Sequence, residues 1–142
     1  MVPIPSWFKC AKVVIFEHEP RWTMTDGYPG RLGLKVAKFV KALMSVPAEQ
    51  RGDIFDLIEL MGATLEFESG GRLGGEGLGW SQTDHEGWLY ELTVDEQGDP
   101  DDVMVTVTPP PELGGLTETM VLADFRAWCE TWKMPPASFF SK

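Results

Sequence analysis

A chain of 142 residues with 43% hydrophobic side chains, among them six Trp, eight Phe and two Tyr, has the material for one packed globular domain across residues 1–142 and is not a disordered segment. Its 22 Asp and Glu against 12 Lys and Arg leave a net charge of −10, which argues against direct nucleic-acid binding. No apolar run approaches a membrane span, no secretory signal opens the sequence, and Cys10 and Cys129 lack CxxC spacing, so a cytoplasmic protein with two free thiols is expected.

The charge is unevenly divided. Residues 1–52 carry eight Lys/Arg and four Asp/Glu, whereas residues 53–142 carry four and eighteen. Such polarity points to a face that attracts something cationic.

Along the chain, the β-branched and aromatic run from Ala11 to Glu17 predicts a strand, and Pro20, Gly27, Pro29 and Gly30 predict a loop after it. From Arg31 the period becomes helical. Leu32, Val36, Phe39, Val40, Leu43 and Met44 form one stripe, with Arg31, Lys35, Lys38 and Lys41 on the other side as a solvated face. Pro47 opens a second predicted helix, with Asp53 as an alternative cap, Ile54, Leu57, Ile58 and Met61 as its buried face and Gly62 as its stop. Thr64 to Ser69 alternates, Leu65 and Phe67 against Glu66 and Glu68, as a half-exposed strand does.

Residues 70–79 contain six glycines and read as a flexible loop. The loop matches neither phosphate-binding template, because no Lys-Ser/Thr follows it and the final glycine of GxGxxG is missing. Trp88, Tyr90, Leu92 and Val94 then alternate with Leu89, Glu91 and Thr93, and Val103, Val105 and Val107 resume the period beyond an acidic turn from Asp95 to Asp102. This is a hairpin. Pro109, Pro110 and Pro111 stop the sheet, and Thr117 caps a last predicted helix whose apolar face is Val121, Leu122, Phe125, Trp128, Cys129 and Trp132. Pro135 and Pro136 end it, leaving a loose tail over 137–142. The order of elements predicts an α+β fold, a single layer of about four mainly antiparallel strands covered by about three helices.

No motif identifies a catalytic centre or a cofactor. Glu17-His18-Glu19 and Asp84-His85-Glu86 bring imidazoles beside carboxylates, but in extended chain the neighbours point away from the histidine, and no HExxH or Cys/His zinc spacing occurs. A small metal-dependent hydrolase using His18 and His85 is therefore the enzymatic alternative. The leading expectation is a non-enzymatic, acidic protein-binding module. Its partner-binding residues would be Asp95, Glu96, Asp99, Asp101, Asp102, Glu66, Glu68 and Glu91, forming one negative field if their strands are adjacent. The partner would be a basic protein such as a nuclease, occluded by carboxylates that stand where phosphates lie, as an immunity protein or a phage-encoded antagonist would do. The third expectation is a homo-oligomeric structural or scaffold subunit, in which the basic first helix of one copy meets the acidic face of another.

Overall fold

The structure is a computed structural model that describes residues 4–15, 21–23, 27–50, 73–74, 87–95 and 98–141. Its strands are β1 (Ala11–Ile15), β2 (Arg21–Thr23), β3 (Leu73–Gly74), β4 (Trp88–Thr93), β5 (Met104–Thr108) and β6 (Glu118–Val121). Its α-helices are α1 (Ser6–Lys9), α2 (Leu34–Met44) and α3 (Leu122–Thr131). The strands form one sheet in the order β3-β2-β1-β4-β5-β6, so four strands of four or more residues carry it and two shorter ones extend one edge. All pairings are antiparallel except β1 with β4, which runs in parallel from Ala11↔Trp88 to Ile15↔Leu92.

The alternation in β4 and β5 sorts side chains as expected. Trp88, Tyr90, Leu92, Val94, Val103, Val105 and Val107 are buried on one face with Ala11 and Val13 of β1. Helices α2 and α3 cover that face through Val36, Ala37, Val40 and Met44 on one and Leu122, Phe125 and Cys129 on the other. This is the expected α+β layer. Truncating a fully buried aromatic such as Phe125 would cost about 3–5 kcal/mol through lost transfer energy and the cavity left behind.

The helical stripe read from Arg31 begins earlier, in a π-helical turn at Pro29–Gly33 that buries Leu32 and runs directly into α2. Of the second predicted helix, the described part is a 3-10 turn at Ala48–Gln50, and the rest lies outside the described residues, as does the strand expected at Thr64–Ser69. Within the expected glycine loop, Leu73 and Gly74 pair with Thr23 and Trp22 as the edge strand β3.

The last helix starts at Leu122 rather than after Thr117, because the residues before it are strand. The hydroxyl of Thr117 bonds that of Thr108 at 3.1 Å and Thr119 bonds Thr106 at 2.9 Å across the strands, so Thr117 is a cross-strand partner and not a helix cap. The backbone N–H of Leu122 donates to the Val103 carbonyl at 3.0 Å, which ties the first residue of α3 to the sheet. The expected loose tail contains a 3-10 turn at Ala137–Ser141 that lays Phe140 on Phe8, with ring centroids 4.9 Å apart.

Aromatic packing closes one end of the layer. Trp132 stacks on Tyr28 at 5.5 Å and meets Trp88 edge-on at 6.0 Å. Trp88 is buried, and Trp7, Trp128 and Trp132 are half-buried, so these four indoles are core material rather than exposed anchors.

Candidate functional site

In the β4–β5 connection, the stretch Asp99–Asp102 is held in shape by its own aspartates. Gly98 N–H donates to the Asp95 carbonyl at 2.9 Å, and Pro100 leads a 3-10 turn over Pro100–Asp102. The Asp99 carboxylate accepts from Asp101 N–H at 3.0 Å while the Asp102 carboxylate accepts from Asp99 N–H at 3.0 Å. This reciprocal cap gives Asp99 and Asp102 a local structural task. Asp101 has no such task. Its carboxyl is exposed, as are those of Asp95, Asp99 and Asp102.

The turn is also one wall of a cleft of about 250 Å³ between α2 and α3, lined by Ala37, Lys41, Pro100, Asp101, Leu122, Ala123, Arg126, Ala127 and Glu130. Its room comes from three alanines on the facing helices. Lys41, Asp101, Arg126 and Glu130 supply its polar atoms, and Arg126 Nε lies 3.3 Å from Glu130 Oε1, an exposed pair worth a few tenths of a kcal/mol. The arrangement suits an aliphatic stem with a charged head. No cysteine, serine or histidine lines it.

The expected acidic residues do not all meet. Glu91 is exposed on the sheet face away from the helices, in register with Val14 and Thr106, whereas Asp101 opens onto the helical side. Asp95, Asp99, Asp101 and Asp102 are brought together by the turn. Glu66, Glu68 and Glu96 lie outside the described residues, and so do His18 and His85. Among the described residues, no group of three or more His, Cys, Asp or Glu is placed to hold a metal ion.

The strands on the turn's side of the sheet come from a stretch of sequence without cations, although Lys41 and Arg126 line the cleft beside Asp101. No lysine or arginine stands between Arg72 and Arg126, a stretch that contains β4, the acidic turn, β5, β6 and the first turn of α3. To the turn this stretch adds the exposed Glu112, Glu118 and Asp124, which sequence reading had not joined to it. The missing cations were countable in the sequence. That their absence coincides with one side of the sheet was not, because it depends on the order β4-β5-β6 at one margin.

Both thiols are free, buried and unactivated. Burial pushes Cys10 up to about 11 and Cys129 up to about 12, so neither is a ready nucleophile near neutral pH.

Fold and site thus define a mixed-sheet α+β protein with an acidic margin and a small cleft beside it. Comparison with protein-family models, with curated proteins and with solved structures finds no match for this chain. No helix among the described residues is long and apolar enough to cross a membrane.

Proposed function

We propose that the chain is a non-enzymatic protein-binding module whose acidic margin engages a basic protein surface. One observation carries this reading: the stretch between Arg72 and Arg126 has no cation, and its turn presents Asp95, Asp99, Asp101 and Asp102 exposed, the last three on backbone held by reciprocal caps. A field of one sign raises the encounter rate with an oppositely charged partner, and a preformed turn loses little entropy on docking.

The natural target is the phosphate-binding cleft of a nucleic-acid-binding enzyme, since such clefts are cationic and are blocked by carboxylates at phosphate positions. In that role the chain is an inhibitor of the immunity or phage-encoded antagonist type, working in a reducing compartment where its two thiols stay free. The test is capture from a lysate of its source cell, read by mass spectrometry. Wild type is set beside a variant with Asp95→Asn, Asp101→Asn and Glu91→Gln, which leaves the caps of Asp99 and Asp102 intact. Recovery of one basic protein by wild type alone supports the reading. Equal recovery by both proteins, or recovery of none, overturns it.

A further inference from the structure

The edge strand β6 ends the sheet, and the direction of its backbone groups follows from one hydrogen bond. Leu122 N–H donates to Val103 O, and the β5–β6 register runs from Val107↔Glu118 to Met104↔Val121, so the pairs that exchange backbone bonds are Val105 with Met120 and Val107 with Glu118. The N–H and C=O of Thr119 and the N–H of Val121 therefore point outward, away from β5, whereas the Val121 carbonyl, as N-cap, accepts the first bond of α3. Among the described residues nothing pairs with that outer edge. It contains no proline, lysine or arginine, the residues that usually blunt an exposed edge.

The two ends of this edge differ chemically. At the Val121 end stands the acidic turn, whose Pro100 and Asp101 share the cleft with Leu122 and Ala123. At the other end Leu116 is 84% exposed. Glu118 and Asp124 add two carboxylates along the strand and just beyond it, and the nearest cation in sequence is Arg126.

We infer that β6 takes an extended segment of a basic partner as a seventh strand, antiparallel to β6, with cationic side chains at the segment's N-terminal end lying against Asp101 and its neighbours. Backbone bonds to Thr119 and Val121 supply the affinity, as in other strand additions, and the acidic turn selects the charge at one end. A second copy of this chain fits less well. Two β6 strands paired about Thr119 would set each acidic turn beside Leu116 and Glu118 of the other copy, neither of which carries a positive charge. The inference rests on the reading of the acidic margin as a protein-binding surface and assigns its partner a conformation.

The experiment is hydrogen exchange of the backbone amides by NMR, with the synthetic peptides KKTVTV and EETVTV as probes. The lysine peptide is expected to slow exchange of the Thr119 and Val121 amides by about tenfold, less at about 300 mM salt, while the glutamate peptide leaves them unchanged. Val121→Lys keeps every backbone donor, adds a repelling charge and should abolish the protection; Thr119→Pro removes an outward donor and should do the same. Shifts confined to the acidic turn, without protection of β6, overturn the strand addition and leave the acidic-surface reading standing. Equal protection by both peptides overturns the charge selection. Protection that grows with protein concentration in the absence of peptide assigns the edge to a second copy and overturns the inference, as does no response to either peptide.

Discussion

The phenolic hydroxyl of Tyr90 donates to the carbonyl oxygen of Gly27 at 2.8 Å, deep in the layer, and so joins β4 to the segment that leads into the π-helical turn. Tyr90 is fully buried, and burial pushes its pKa well above the ordinary 10.0. Tyr90→Phe keeps the ring against Phe125 but leaves the Gly27 carbonyl without its donor. The expected loss is about 1–3 kcal/mol, read as a lower urea midpoint at unchanged slope.

Gly87 has φ +56, and a Cβ there would lie 2.5 Å from the Cys10 carbonyl oxygen. Gly114 has φ +67 with nothing within 4 Å of the same position. Gly114→Ala should cost only the left-handed strain, about 1–2 kcal/mol. Gly87→Ala adds a collision with backbone just before β1 and should cost clearly more; equal losses in denaturant titrations would contradict this packing.

The turn aspartates should separate into two groups. Asp99→Ala removes a capping acceptor and should lower stability by about 0.5–2 kcal/mol. Asp101→Asn touches no cap and should stay within about 0.5 kcal/mol of wild type while weakening partner capture. Thermal melts set beside capture assays distinguish them.

The thiols predict a pH trend. Both are raised above 9.0, Cys10 to about 11 and Cys129 to about 12, so the folded chain holds these protons more tightly than the unfolded chain does. Their contribution is complete below about pH 9 and is lost as pH rises toward the folded values, because the unfolded chain then releases protons that the folded chain keeps. Denaturant midpoints should fall between about pH 9 and about pH 11, and less steeply in Cys129→Ala. Near pH 8 a thiol reagent should modify native protein far more slowly than denatured protein.

The hairpin of β4 and β5 was legible because alternation and burial agree there: Trp88, Tyr90, Leu92, Val103, Val105 and Val107 all face the helices. Strand β6 was hidden because Glu118, Thr119 and Val121 are all exposed, so its residues show no period of two, and a helical stripe begins at once after it. The parallel pairing of β1 with β4 leaves no local trace, being set by a non-local register. At the site, the capping task of Asp99 and Asp102 was not legible, because a cap and a binding carboxylate are the same residue type. The cleft was invisible because the alanines that open it, Ala37, Ala123 and Ala127, carry no chemical signal and stand far apart in sequence.

The measurement closest to the central claim is the affinity of the purified chain for the basic protein it captures, at about 50 and 300 mM salt, for wild type and for the variant with Asp95→Asn, Asp101→Asn and Glu91→Gln. The account predicts that wild-type binding weakens by about tenfold or more with salt, mainly through slower association, and that the variant binds weakly at both concentrations. An affinity unmoved by salt and by the three substitutions would contradict it.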